Sequence, residues 1–433
     1  MRGEAKKPGL GRSELGRRLG RVGRAPAEPE VSGETTIGPP RDLVLCANER
    51  GGYFERVTRF ATDHLHGEWN LDEAFHAQPE TFALLTGDAS LRGVRLQDAV
   101  FLDTETTGLS GGSGTYVFQV GLGRFDEAGF ELWQGFMAGP EDEPGLLEET
   151  ARRIAAAGSV VSFFGKSFDR HRLEDKMRLH KVAPPFESRP HLDLYHPLKR
   201  IYKGNFDDCR LKTLELELSG LVRPDDLPGS MAPAAWFDFL QDRPHRLEGV
   251  FQHNADDVLS LVTLSAYLGR VGVGKRASER ELGGSELDCA RALSRALLEA
   301  KREEEAREWI ERALGLGPTR DEARELRFAK AVSLKRSKEP QDAWREFEAL
   351  LSEPADRWSV PAAIEAAKLL EHQLRDGKRA LEICEAALPR CEELHFGGEL
   401  ARLKRDLDRR LARLRQATEK RGSTGRMELD PET

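Results

Sequence analysis

Two carboxylates one residue apart, Asp103 and Glu105, stand at the end of the apolar run in "FLDTETTGLSGGSG", residues 101–114. Side chains i and i+2 of an extended strand share a face, so this pair projects together. Two negative charges held that close repel, which favours a bound divalent cation over two bare carboxylates. With 74 acidic residues in 433, such pairs also recur by chance, and an acidic turn closing a strand has the same letters. Two further stretches narrow the choice. "SFFGKSFD" delivers Asp169 just after a buried strand and at the start of a helix, where the helix dipole favours a carboxylate. "HNADDVLSL" sets His253 and Asp257 four apart on a helix, hence on one face, with Asp256 as the competing acid three apart. Taken singly, Asp169 fits an N-cap and His253 a packed core histidine. Together they offer acids and one imidazole from separate elements.

Those elements follow from periodicity. "AVFLD" is a short buried strand. "TYVFQVGLGRF" alternates Tyr116, Phe118, Val120 and Leu122 with smaller or polar residues, and "FELWQGFMAG" follows after a turn, predicting an antiparallel meander. A helix over "GLLEETARRIAAA", a strand over "SVVSFF", a helix over "FDRHRLEDKMRLH" and a strand over "HLDLYHP" come next. Helices then cover "CRLKTLELEL" and "RLEGVFQHNADDVLSLVTLSAYLGRV". The order βββαβαβ followed by helices predicts an α/β fold, a mixed sheet with helices on its faces.

The chain divides into a disordered basic tail at 1–40, an N-terminal extension at 41–97, the α/β domain at 98–270 and a Gly-rich linker at 271–284. A helical-repeat region at 285–418 and a disordered tail at 419–433 complete it. "AREWIERAL" at 306, "AWREFEALL" at 343 and "ALEICEAAL" at 380 recur with a period of 37 residues, each with apolar or small residues at offsets 0, +4, +7 and +8. Such a period predicts all-α helical hairpins of the tetratricopeptide type or a plain helical bundle. The stretch 396–420 has the pattern of one charged helix. The glycine run at 111–114 does not open a helix, as a phosphate cradle would require, and is expected to be a flexible turn beside the acids.

With 39% hydrophobic and 32% charged residues, the chain is expected to be soluble and globular, and no apolar run approaches the roughly 18 residues of a membrane span. A cytoplasmic location is expected, since no hydrophobic signal core opens the sequence. Five scattered cysteines without a CxxC pair argue against a disulfide framework or a structural zinc site. The net charge of −8 does not advertise a nucleic-acid binder, so any such role must rest on local patches. One candidate is "HPLKRIYKGNFDDCRLKT", where Lys199, Arg200, Lys203, Arg210 and Lys212 outnumber Asp207 and Asp208, beside Tyr195 and Tyr202. Cations with aromatic rings can track a phosphate backbone and stack a base, although a solvated basic face has the same composition. Lys166, in the "FFGKSFD" block, is grouped with these residues. The first 24 residues carry eight basic and two acidic side chains, which suits non-specific nucleic-acid affinity or a solubilising leader.

The set Asp103, Glu105, Asp169 and Asp257 resembles the four-carboxylate signature of DEDD exonucleases, which have a ribonuclease H-like fold. The blocks "FLDTETTGLSGGSGTYVFQVGLG", "FFGKSFDRHRLEDK", "HLDLYHPLKRIYKGNFDDCRLKTLE", "RPDDLPGSMAP" and "FQHNADDVLSL" resemble, one after another, the YprB-like branch of that superfamily over about residues 95–270. The resemblance implies two Mg²⁺ or Mn²⁺ ions, with Asp103 bridging both, Glu105 and Asp169 sharing the remaining coordination and Asp257 completing one shell. It further implies that His253 orients or deprotonates the attacking water, for which an imidazole with a near-neutral pKa is suited. This chain departs from the family at two places. His253 stands at the spacing where members commonly carry Tyr, and Phe164 stands where members often carry Asn. The implied function is a metal-dependent 3′–5′ exonuclease on single-stranded DNA or RNA, with the helical repeats recruiting a protein partner. The alternatives are a non-catalytic nucleic-acid-binding scaffold and a structure-selective endonuclease. No membrane association is implied.

Overall fold

The computed structural model describes residues 35–108, 114–272, 286–393 and 397–424. Most of the basic tail at 1–40, most of the linker, residues 111–113 of the glycine run and the last residues of the C-terminal tail lie outside these ranges. The strands are β1 (Val44–Asn48), β2 (Gly51–Phe60), β3 (Leu65–His66), β4 (Trp69–Asn70), β5 (Ala99–Thr106), β6 (Val117–Asp126), β7 (Gly129–Phe136), β8 (Ser159–Ser162) and β9 (His191–Asp193). Seven of them form one sheet in the order β1-β2-β7-β6-β5-β8-β9, and β3 and β4 pair as a separate small hairpin. The ladder is antiparallel from β1 through β5, and β5, β8 and β9 run parallel. The mixed sheet is thus present, and it is wider than the meander alone because the extension at 41–97 contributes β1 and β2.

Helices cover both faces. In chain order they are α1 (Pro79–Thr86), α2 (Glu143–Ala155), α3 (Asp169–Leu179), α4 (Tyr195–Tyr202), α5 (Leu211–Ser219), α6 (Ala232–Leu240) and α7 (Leu247–Arg270). One core gathers Leu146, Leu147, Leu173, Met177 and Trp236 from α2, α3 and α6 against Val100, Leu102, Val120 and Leu122 of the sheet. The other packs Val258, Val262 and Tyr267 of α7 with α1, α4 and α5 against Phe101, Phe130 and Leu132. The alternation predicted for "TYVFQVGLGRF" explains how α7 docks. Its large residues fill the first core, while Gly121 and Gly123 line the opposite face. A Cβ on Gly121 would lie 2.3 Å from Asn254 Oδ1, and one on Gly123 would lie 2.6 Å from Val258 Cγ1. Two bare strand positions two apart receive two α7 residues four apart, spacings of similar rise along strand and helix. Gly121 also faces Asp103 across the β5–β6 ladder, so this close approach sets the helix over the acids.

Two local expectations differ from the structure. "HLDLYHP" is a strand only through Asp193; α4 begins at Tyr195, whose backbone N–H is accepted by Asp193 Oδ1 at 3.1 Å. Pro197 is tolerated in that first turn because no intrahelical N–H is needed there. The basic stretch therefore lies on a helix and the turn after it. Residues 35–40 are tied to the domain, since Thr36 and His245 exchange backbone hydrogen bonds of 2.9 Å each.

The C-terminal region is helical: α8 (Glu286–Glu299), α9 (Glu303–Gly315), α10 (Arg320–Arg336), α11 (Pro340–Ser352), α12 (Ser359–Leu369), α13 (Gly377–Glu393) and α14 (Gly397–Thr424). The 37-residue repeat falls on α9, α11 and α13. Offsets 0, +4 and +7 are the buried ones: Ala306, Ile310 and Ala313, then Ala343, Phe347 and Leu350, then Ala380, Cys384 and Ala387. Alanine at the first position of each lets a neighbouring helix come close. The last helix runs to Thr424, beyond the expected limit at 418, because nothing in "RLARLRQATEKR" interrupts helical propensity. Cys289, Ala292, Leu293 and Ala296 of α8 belong to the same core as α7. Ion pairs Arg200–Glu299 at 2.7 Å and Arg302–Glu80 at 2.8 Å flank that contact. No described helix is long and apolar enough to cross a membrane.

The glycine track predicts that Gly121→Ala, which forces a methyl group onto the Asn254 amide, costs about 1–3 kcal/mol. Urea unfolding measures it, and unchanged stability would show that α7 does not depend on this contact.

Candidate active site

Asp103 and Glu105 leave the same face of β5, and Asp169 opens α3. Asp257 lies on α7 one turn beyond His253. Asp103 is half-buried, while Glu105 and Asp169 are 8% and 7% exposed. Asn254 of α7, fully buried, donates Nδ2 to Asp103 Oδ2 at 2.7 Å. Its Oδ1 accepts from Gln134 Nε2 at 2.9 Å, which fixes the direction of the amide. Thr104 donates its hydroxyl to Asp169.

The electrostatics follow from packing four acids into a poorly hydrated corner. Burial, then the charges of Asp257, Glu105 and Asp169, hold the Asp103 carboxyl well above the usual carboxylate range. Burial pushes Glu105 up to about 8, with the His253 charge opposing and Asp257 and Asp169 adding to it. Burial raises Asp169 to about 6 against the stabilising Thr104 hydrogen bond. Bare, these groups cannot all be ionised at neutral pH. An oxygen-only donor set with surplus negative charge suits Mg²⁺ or Mn²⁺ in its chemistry. Its geometry is not closed around an ion. Among the described residues no three His, Cys, Asp or Glu side chains converge as a ready metal-ligand set. Asp103 is committed to Asn254, and Asp257 is drawn to an arginine.

That arginine is Arg223, from the loop after α5. Its side chain is 5% exposed and donates Nη1 to Asp257 Oδ1 at 2.6 Å and Nη2 to Glu215, with Ser260 Oγ at 3.3 Å. Glu215, fully enclosed in α5, is raised to about 7 by burial although Arg223 opposes the shift. Asp226, three residues on from Arg223, holds His253 Nδ1 at 2.6 Å, while His253 Nε2 lies 3.7 Å from Asp257 Oδ2. Burial works against a charge on His253, but the Asp226 hydrogen bond and the fields of Asp257 and Glu105 push it up to about 10. The near-neutral imidazole expected of a general base is therefore not what this arrangement presents. With no cation at the acids, the Asp226 contact and the neighbouring carboxylates favour the imidazolium form of His253. Of the two neighbouring acids, Asp257 faces Asp103 and Glu105. Asp256 instead accepts from Gln252 at 3.0 Å.

The expected nucleic-acid-binding residues do not act as one patch. Arg200 turns away, donating to the Leu85 carbonyl at 3.1 Å and pairing with Glu299, so it ties α4 to α1 and α8. Lys166 pairs with Asp88 at 3.5 Å and Lys212 with Asp226 at 3.3 Å. Lys199, Lys203 and Arg210 line one cleft with Tyr195. Asn254, Thr104, Arg223 and Asp226 were not singled out from sequence, although Asn254 adjoins His253 and the other pair sits in "RPDDLPGSMAP".

The comparisons with known proteins agree with this architecture. A family model described as the RNase_H superfamily matches residues 100–269, which spans β5 through α7 and every residue of the acid cluster. Residues 100–269 are a ribonuclease H superfamily domain. The chain is also similar to the uncharacterized protein YprB of Bacillus subtilis (strain 168), 28% identical over 365 residues that cover 81% of this chain and 85% of that relative. The similarity thus extends beyond the ribonuclease H superfamily domain.

Two outcomes follow from the charges. Asp169 and Glu105 have folded-state values raised from 3.8 to about 6 and from 4.5 to about 8. Their contribution to stability is complete below the unfolded values and is lost as pH rises through the folded ones. In EDTA the melting temperature should therefore fall between about pH 4 and 8, and His253, raised from 6.5 to about 10, extends the slope upward. Mg²⁺ or Mn²⁺ at pH 8 should restore the loss, since a ligand that binds only the folded state stabilises it; a flat, metal-insensitive profile would contradict the charge assignment. Separately, Arg223→Met leaves Glu215 buried without its partner and should cost about 3–5 kcal/mol in urea unfolding.

Proposed function

We propose that this chain is a metal-dependent nuclease that removes nucleotides from the 3′ end of single-stranded nucleic acid. The observation that carries this reading is that Asp103, Glu105 and Asp169, from β5 and α3, lie within electrostatic reach of one another and of Asp257 on α7 in a corner of a ribonuclease H superfamily domain, where burial and mutual repulsion hold the first three carboxyls above the usual range. These four would hold two Mg²⁺ or Mn²⁺ ions. Bound there, the ions supply a hydroxide nucleophile at neutral pH and neutralise the leaving oxygen.

The chain's own residues do the positioning. Asn254 keeps Asp103 aimed, and the Thr104 hydroxyl keeps one oxygen of Asp169 fixed. Asp226 holds His253 by Nδ1, which leaves Nε2 directed toward Asp257 with its proton in place. His253 therefore orients water or returns a proton, and its value rests on the same acids, so neutralising them lowers it toward the range of a base. The helical hairpins offer a separate surface for a protein partner.

One observation favours a second reading, a non-catalytic nucleic-acid-binding platform. Arg223 already neutralises Asp257, a residue that metal binding would need. The test uses 5′-labelled single-stranded DNA and RNA with Mg²⁺, Mn²⁺ or EDTA, beside the Asp103→Asn, Glu105→Gln double variant. A metal-dependent ladder shortening from the 3′ end is expected. The double variant should lose about a thousandfold or more, because metal contacts are worth several kcal/mol in the transition state. Internal cuts would indicate an endonuclease, and binding without turnover would favour the platform. His253→Gln should lower turnover by about a hundredfold to ten-thousandfold while leaving oligonucleotide affinity unchanged.

A further inference from the structure

A cleft of about 670 Å³ opens between the turn after β8, the start of α4 and the loop before α5. Its walls are aromatic: Phe163, Phe164, Tyr195 and Phe206. Phe164 is 43% exposed and sits at φ 59°, a left-handed conformation that bulky L-residues adopt at a cost. Burial does not repay that cost. The turn is held in place by Asp193, itself buried, whose carboxylate accepts the backbone N–H of Phe164 at 2.8 Å and of Lys166 at 3.1 Å. The same carboxylate accepts the N–H of Tyr195 and so locks the two rings together, with centroids 4.9 Å apart at 74°. Strain that the surroundings enforce on an exposed ring marks a functional surface.

The rim supplies the complementary charge. Lys199 donates to the Tyr195 hydroxyl at 2.8 Å, and exposed Lys203 and Arg210 flank the opening. Of the two acids in the lining, Asp207 and Asp208, the latter is engaged by the Arg210 backbone N–H at 2.9 Å, the Thr213 hydroxyl at 2.6 Å and the exposed Arg210 guanidinium at 3.4 Å, a solvent-screened pair that a phosphate can displace. Aromatic walls with a cationic rim match the two faces of a nucleotide, a flat π-surface and a phosphate. A base inside a duplex cannot present its face to Phe164, so the cleft takes only an unpaired one. The turn that carries Phe164 packs against Asp169, since a Cβ on the next residue, Gly165, would lie 3.1 Å from Asp169 Oδ2, and this puts the subsite beside the acid cluster.

We propose that the cleft is a nucleobase subsite, in which Phe164 and Tyr195 stack one unpaired base while Lys199, Lys203 and Arg210 hold its phosphate. The assignment rests on the nuclease reading only for the identity of the polymer, and it names the feature that selects single strands.

The test measures fluorescence-anisotropy binding of fluorescein-labelled oligothymidylate and oligouridylate in EDTA, each beside an abasic version of the same backbone and a duplex of the same length. The wild-type chain should prefer the intact single strand over the abasic one by roughly five- to hundredfold, the usual worth of a stacked base. Phe164→Asn and Tyr195→Leu should bind intact and abasic strands alike, and Lys199→Ala should weaken both equally. Asn tolerates the left-handed backbone, so Phe164→Asn should melt at or above the wild-type temperature, which separates loss of stacking from loss of folding. Equal wild-type affinity for intact and abasic strands, or discrimination surviving in Phe164→Asn, would overturn the subsite. Cleavage of the same strands with Mn²⁺ is scored separately. Discrimination without cleavage supports the subsite and defeats the nuclease reading, whereas cleavage without discrimination defeats the subsite alone.

Discussion

Like charges sharing a poorly hydrated corner are the constraint to which the rest of this domain answers. Each neighbour of the acid cluster meets one part of it. Asn254 donates to Asp103, Thr104 donates to Asp169, Arg223 pairs with Asp257, and His253 lends its positive charge to Glu105 and Asp257. Arg223 and His253 are in turn braced by Glu215 and Asp226. The result is an extended network of alternating sign in which no acid is stabilised alone. Removing one member therefore exposes the others, and energies in this corner will not add.

The scaffold that brings these groups together is simple. Bare positions on β6 let α7 lie close to the sheet, and the close approach puts Asn254 over Asp103 and Val258 over the apolar floor. One helix thereby delivers His253, Asn254 and Asp257 with a single docking geometry. Precision at the site is inherited from rigid elements.

Two pairs were legible because their spacing obeys local periodicity: Asp103 and Glu105 two apart on a strand, His253 and Asp257 four apart on a helix. The large-small alternation of β6 and the buried offsets of the helical repeats were legible for the same reason. Asn254 and Arg223 were not, since their importance depends on which residues other elements bring opposite them. The widening of the sheet by β1 and β2 was hidden too, because the half-exposed β2, carrying Glu55, Arg56, Thr58 and Arg59, shows no clean apolar face. The strand assigned over "HLDLYHP", through Pro197, failed where a side chain, Asp193, turned the backbone into a helix. The spacing of His253 and Asp257 puts them one turn apart on α7, but the contact of His253 Nδ1 with Asp226, an acid from a different loop, has no local signature.

The first hairpin helix, α8, inserts Cys289, Ala292, Leu293 and Ala296 into the core that also holds α7. The hairpins are therefore braced against the α/β domain by packed side chains as well as by chain connectivity. Cargo captured on their surface would be presented to the cleft at a set bearing and reach, like a workpiece in a jig. A substrate brought by the protein partner proposed for the hairpins would thus meet the cleft at an effective concentration on the order of millimolar, so weak contacts in the cleft would suffice.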